Sequence, residues 1–338
     1  MPEATPTPRR APATQQDVAD LARVSRGLVS LALKGEGRMS AKTRQRITDA
    51  ARTLHYRPNS AAAELASRRS RRLAVIVPYL DNPFFDLLLR ALRRHASQAG
   101  YVLAAFVSDL TDQVERSTID DVLSIRPEGL ILPGTSMSLA ELIELAAQIP
   151  LVVMDRHLHA DTLNVVRLDE DDAAGQIIEH LTSQQVKDLV FFSPSESMHE
   201  TLVDERREAC RTAATRAGMS FTSLVCNDGA TPALEQARTV VGGRFGAVAY
   251  NDVLALDLHT ALLTAGLRPG HDVALVSYDN SPWADRSEFR LTSIDQSPDL
   301  LASECVEILL RDPDAPPAHR EVAASLVVRA SSLPSASY

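Results

Sequence analysis

Apolar positions along the chain follow two rhythms, and the change between them falls near residue 73. Before it, three stretches repeat apolar residues at helical spacing: residues 16–22 with Val18, Leu21 and Ala22, residues 26–33 with Val29, Ala32 and Leu33, and residues 41–54 with Ile47, Ala50, Ala51 and Leu54. Steps of three and four residues place side chains on one face of a helix, so the pattern predicts three short helices closed on one small core. Ser40 stands where the N-cap of the third helix belongs, since its hydroxyl can accept from a first-turn N–H that has no partner within the helix.

From Leu73 onward, short apolar runs alternate with longer amphipathic segments. The runs are LAVIVP (73–78), YVLAAFV (101–107), GLILPG (129–134), LVVMD (151–155), LVFFS (189–193), FTSLVC (221–226), GAVAY (246–250) and DVALVSYD (272–279). Between them lie segments of helical character such as 84–98, 172–181 and 253–265. Strand and helix in alternation predict parallel sheets covered by helices on both faces. The runs are numerous enough for two such sheets, with a ligand cleft expected where the carboxyl ends of their strands face each other.

Length and composition narrow this picture. At 338 residues the chain exceeds one ordinary core, and two or three packed units are expected. No apolar run approaches the ~18 residues that span a bilayer, and residues 1–13, rich in Pro, Thr and Ala, lack the apolar core of an export signal. A disordered N-terminal tail and a cytoplasmic protein that does not engage a membrane are therefore expected. Cys210, Cys226 and Cys305 are odd in number and widely spaced, a pattern of ordinary buried thiols. His157 and His159 have neither a third histidine nor a carboxylate at ligand spacing, so no metal is expected. GxGxxG, GxxxxGK and GxSxG are all absent, which argues against an enzyme and against a bound cofactor.

Charge alters the reading most. The net charge is −9, yet residues 1–72 carry fifteen Lys and Arg against six Asp and Glu, a local +9, and the remainder carries −18. Basic charge gathered on a small helical module is the electrostatic footprint of nucleic-acid binding.

The stretch TQQDVADLARVSRGLVSLALKGEGRMSAKTRQRITDAARTLHYRPN (14–59) resembles, without a gap, the DNA-binding headpiece of the LacI family of bacterial repressors. The resemblance continues through weaker landmarks in the right order: VPYLDNPFF, AYNDVLAL, VSYDNSP, LTSIDQ and LVVRASS. It implies a multidomain protein, with a small all-α helix-turn-helix headpiece and an α/β periplasmic-binding-protein-like core of two lobes. The implied boundaries are a tail at 1–13, a helix-turn-helix at 14–57, a hinge helix and linker at 58–72, and an effector-binding and dimerisation domain at 73–338. Within that domain, lobe 1 takes about 73–167 and 297–321, and lobe 2 takes about 168–296 and 322–338.

Carried over onto matching positions, Ser25, Arg26 and Gly27 lead the helix that enters the major groove, with Ser30 and Lys34 further along the same face. Arg26 suits the bidentate contact to guanine. Thr14, Arg38, Ser40 and Thr43 would hold phosphates, which position the module without reading sequence. In SAAAELAS, Leu65 falls at the position of the apolar wedge that family members insert into the central minor groove, with Asn59 and Ala62 nearby. Arg23 stands where the family usually has glycine, so a left-handed backbone there would cost ~1 kcal/mol or the turn differs slightly. Leu31 replaces an arginine that many members aim at guanine, so the operator should differ at the corresponding bases. The effector cleft would be lined by Asn82, Phe84, Phe85, Asp155, Arg156, Arg206, Asn251, Asp279 and Gln296. These types suit a sugar, whose hydroxyls pair with carboxylates and amides, and they also suit a purine. The expected partners are palindromic double-stranded operator DNA, a carbohydrate-class effector and a second copy of the chain. A solute-binding protein would share the core and leave residues 14–72 without a use.

Overall fold

The computed structural model describes residues 13–33, 35–56, 69–109, 112–154, 158, 162–194, 200–312 and 314–334. Lys34, Asn59, Ala62, Leu65, Asp155, Arg156, His157 and His159, and residues 1–12 of the expected tail, lie outside the described residues. The chain divides into two compact units, Met1–Ser70 and Arg71–Tyr338.

Among its described residues the first unit has three helices, α1 (Gln15–Ala22), α2 (Arg26–Leu33) and α3 (Ala41–Thr53). Thr14 and Asp17 form a capping box at the start of α1, and Ser40 caps α3 by accepting from the Thr43 N–H. Val18, Ala19, Ala22, Val29, Ile47, Ala50 and Ala51 make the buried core. Leu21, expected inside, is exposed; the inward face of α1 is centred on 18, 19 and 22, which leaves 21 just past its edge. Between α1 and α2 the chain turns through Arg23 at φ 52°, ψ 53°. A left-handed conformation costs a residue with a Cβ roughly 1–2 kcal/mol, so the arginine is tolerated rather than preferred. Arg44 on α3 donates to the carbonyls of Ala32 (3.2 Å) and Gly37 (3.4 Å), tying the end of α2 to α3.

The second unit contains two six-stranded sheets. Leu73 begins the buried part of β1 (Arg72–Val77), and α4 (Pro83–Gln98), β2 (Val102–Val107), α5 (Asp112–Ser124), β3 (Gly129–Pro133), α6 (Leu139–Ala146), β4 (Leu151–Met154) and β5 (Asn164–Leu168) follow. The chain then enters the second lobe with α7 (Glu170–Ser183), β6 (Asp188–Ser193), α8 (Glu200–Arg216), β7 (Ser220–Val225), α9 (Ala230–Val240), β8 (Phe245–Ala249), α10 (Asp252–Thr264), β9 (Val273–Tyr278) and β10 (Thr292–Asp295). It returns for α11 (Pro298–Leu310) and β11 (His319–Val322), and ends in β12 (Ser325–Val327). Strand orders are β11-β5-β4-β3-β1-β2 and β12-β10-β9-β8-β6-β7. All described pairings are parallel except β10 with β12.

Burial explains why the strand runs are continuously apolar. On β1, Leu73, Val75 and Val77 pack beneath α4 and α11, and Ala74 and Ile76 face α5 and α6, so both faces of the strand are covered. In each sheet the order reverses beside the first strand, at β1/β3 in one lobe and β6/β8 in the other. Such switch points leave a crevice beyond the carboxyl ends of the strands, and these ends carry the polar residues described next.

Candidate nucleic-acid interface and ligand cleft

On the first unit, Ser25, Arg26 and Gly27 are exposed at the start of α2, and Ser30 is half-buried one turn on. The Ser25 hydroxyl also accepts from the Leu28 N–H at 3.2 Å, so it caps the helix it leads. A Cβ on Gly27 would meet nothing within 4 Å; the protein itself has no steric need for glycine there. Exchange for alanine favours a helix interior by about 1 kcal/mol. Gly27→Ala is therefore expected to raise headpiece stability by roughly 0.5–1 kcal/mol in thermal unfolding, and to weaken operator binding in a titration if the backbone approaches DNA at this point. Ser40 and Thr43 are joined through their hydroxyls at 2.9 Å at the N-terminus of α3. Thr14 is held by Asp17 at 2.7 Å, and Arg38 is exposed.

In the second unit the polar residues converge between the lobes. Asn82 caps α4, accepting from the Phe84 N–H at 2.9 Å, and its Nδ2 donates across the cleft to Asp279 Oδ2 at 2.9 Å. Gln296 Nε2 donates to the other oxygen, Oδ1, at 2.5 Å. Asp279 is buried and lies at φ 104°, a region costly for a non-glycine residue that persists only where surrounding bonds impose it. Burial, reinforced by the nearby Asp252 carboxylate, pushes the Asp279 carboxyl up to about 8. Asp252, just inside α10, takes the Ser277 hydroxyl (2.5 Å), the Ser293 hydroxyl (2.8 Å) and the Ser281 N–H (2.7 Å). This network binds β9, β10 and the loop after Tyr278 into the shape that presents Asp279.

Arg206 on α8 is only 2% exposed. Its Nε and Nη2 donate to Glu170 at 2.8–3.2 Å, and Nη1 donates to the Tyr250 carbonyl at 2.7 Å. The guanidinium carbon lies 4.0 Å from the Tyr278 ring centre and 4.9 Å from that of Tyr250. Burial by itself would lower its pKa, and Glu170 with the two tyrosines more than reverses that. Asn251 caps α10 through the Leu254 N–H at 2.9 Å. Phe84 and Phe85 are buried in the first lobe's core, with Tyr79 edge-on to Phe85 at 5.2 Å between ring centres.

Of the nine expected cleft residues, Asn82, Asp279 and Gln296 form one hydrogen-bonded set, and Arg206 and Asn251 flank Tyr250. Sequence reasoning missed Glu170, Asp252, Tyr79 and Tyr250. Tyr250 directly follows β8 and Tyr79 lies two residues beyond β1, a position at strand ends that could have singled them out. Glu170 lies in the acidic run 169–172, where nothing local separates the buried residue from its solvated neighbours. The three cysteines are buried, and none of them is in a disulfide.

A basic three-helix module joined to a two-lobed α/β unit with a polar cleft defines a ligand-responsive DNA-binding regulator. Residues 14–59 match the model of the bacterial regulatory proteins of the lacI family, and residues 178–332 match that of the periplasmic binding protein-like domain. The HTH-type transcriptional regulator PtxS of Pseudomonas putida is 27% identical over 334 residues, covering 97% of this chain and 98% of that protein. The Lac repressor dimer bound to operator and the anti-inducer ONPF superposes with a TM-score of 0.81 at 23% identity, covering 96% of this chain and all of that one. A transcriptional regulator CelR–cellobiose complex gives 0.67 at 23% identity, over 94% and 99% of the two chains. The chain carries a LacI-family helix-turn-helix domain and a periplasmic-binding-protein-like domain, the make-up of a DNA-binding transcriptional regulator with an effector-binding domain. Among the described residues no helix is long and apolar enough to cross a membrane.

Proposed function

We propose that this regulator is a repressor that binds a palindromic operator as a homodimer and is controlled by a sugar or sugar derivative held between its lobes. The observation that carries the reading is Asp279, strained and buried, bonded to Asn82 of one lobe and to Gln296 at a crossover. A sugar hydroxyl offers the donor and acceptor needed to replace these bonds. The cellobiose bound to the CelR structure and the operator-bound dimer of the Lac repressor support the effector class and the assembly. Asp155 and Arg156 join the cleft, and Leu65, Asn59 and Ala62 the DNA contact, on the resemblance alone.

Effector binding shifts the angle between the lobes and thereby the hinges, a coupling of about 1–3 kcal/mol. Arg206 is well placed for this, because its neighbour Glu205 lies 3.8 Å from Arg167 of β5, which also pairs with Glu321 of β11. Movement of α8 at the cleft therefore reaches β5 and β11, the two strands from which the chain leaves the first lobe.

Selection of bound DNA from a random pool, repeated in the presence of sugars and nucleobases, tests the proposal. A palindromic consensus released by a sugar is expected. Release by nucleobases alone would replace the effector class with a purine, which the same polar groups accommodate.

We propose that the dimer forms along β2 and β7, one edge strand of each sheet. Val102 on β2 is 66% exposed and Val107 is 46% exposed, and an unprotected apolar edge invites a second copy. Val102→Asp is expected to weaken dimerisation by about tenfold or more, read by sedimentation equilibrium; an unchanged dimer would move the interface elsewhere.

A further inference from the structure

Strands β8 and β9 link the cleft to a second feature. Their carboxyl ends lead into Tyr250 and Asp279, while their amino ends start beside Arg244 and Asp272, which line a separate cavity of about 760 Å³. Six residues of extended chain at about 3.3 Å each put it roughly 20 Å from the cleft. The cavity is within the size range of small-molecule sites. Val241, Phe245, Leu267 and Val273 supply apolar wall, and Arg238, Arg244 and His271 supply the polar part of the lining.

The charges there are unbalanced. Arg238, exposed in the last turn of α9, has no hydrogen-bond or ion-pair partner among the described residues. Arg244 donates only to carbonyls, those of Gln184 (2.8 Å), Gly270 (3.0 Å) and Ser332 (3.3 Å). Its Nε is buried with no partner among the described residues, an arrangement that costs stability unless something completes it. The one carboxylate in the lining, Asp272, is already committed to the Arg268 N–H at 2.8 Å and to His271 at 2.8 Å. Two guanidinium groups thus border an apolar recess with no carboxylate of their own.

We propose that this cavity is a second ligand site, separate from the cleft, for a small anion with an apolar body: an aryl or alkyl carboxylate, sulfonate or phosphate monoester. The anionic head pairs with Arg238 and Arg244, for which a planar fork of donors is suited, and the apolar body lies against Phe245 and Leu267. A ligand here sits at the amino ends of the two strands whose other ends hold Tyr250 and Asp279, and so has a route to bias the effector cleft.

Calorimetric titration of the full-length protein with phenyl phosphate tests this. One saturable site per chain is expected, with phenol and inorganic phosphate each weaker by about tenfold or more, since each lacks one half of the recognition. Arg238→Glu should weaken phenyl phosphate by a similar factor, about tenfold, and leave thermal unfolding and operator binding unchanged. Photolabelling with 4-azidophenyl phosphate should mark peptides containing residues 238–245 or 267–273. Absence of a saturable site, inorganic phosphate binding as tightly as the phenyl ester, labelling in the cleft, or indifference to Arg238→Glu would each overturn the proposal and leave the reading of the cleft intact.

Discussion

Glu170→Ala is expected to destabilise the effector domain by about 3–5 kcal/mol, because it leaves the Arg206 guanidinium buried without its counter-ion. The two side chains are 6% and 3% exposed, so water cannot replace the lost carboxylate. What remains to Arg206 is the Tyr250 carbonyl and the faces of two tyrosine rings, too little to hold a full charge out of water. The double replacement Glu170→Leu with Arg206→Met removes both charges and should recover stability to within about 2 kcal/mol of the natural chain, as buried ion pairs exchanged for apolar residues generally do. Urea unfolding followed on the effector domain reads both. Equal losses in the single and double variants would mean that the pair is not coupled. The double variant also separates stability from signalling: a domain that folds and no longer releases operator on adding effector assigns Arg206 to effector recognition or its relay.

The second large effect lies on the headpiece. Arg26→Ala should cost about 1–3 kcal/mol at the operator, roughly 5- to 150-fold in affinity, while random duplex DNA loses only a few-fold, because base contacts discriminate and phosphate contacts do not. Fluorescence anisotropy against both duplexes measures the ratio. Equal losses on the two would make Arg26 a phosphate contact. In the natural chain, operator affinity should fall by roughly 10³-fold or more between about 50 and 200 mM salt if six or more phosphates are neutralised. A shallow slope would contradict the charge segregation that places +9 in residues 1–72.

Helix and strand positions were legible because they depend on neighbours in the chain. The predicted helices 16–22, 26–33 and 41–54 appear as Gln15–Ala22, Arg26–Leu33 and Ala41–Thr53, with Ser40 capping as expected. Each predicted strand run contains a strand. The runs passed over four strands, β5 (NVVRL), β10 (TSID), β11 (HREV) and β12 (SLV), which have at most two apolar residues in succession; so short a stretch does not stand out as an apolar run. Leu21 went wrong for a related reason: helical spacing names a face, and which of two adjacent faces turns inward depends on what packs there.

By itself, then, the sequence determined the two rhythms, the segregated charge and the headpiece, since periodicity, capping and net charge are summed over residues close in the chain. Tertiary structure alone decided the cleft's electrostatics. It chose Glu170 from an acidic run to neutralise Arg206, set Asp252 among three serine donors, and forced Asp279 into a left-handed conformation beside Asn82, 197 residues away. Burial and counter-charge are properties of the packed environment, and they appear only when distant segments meet and water leaves.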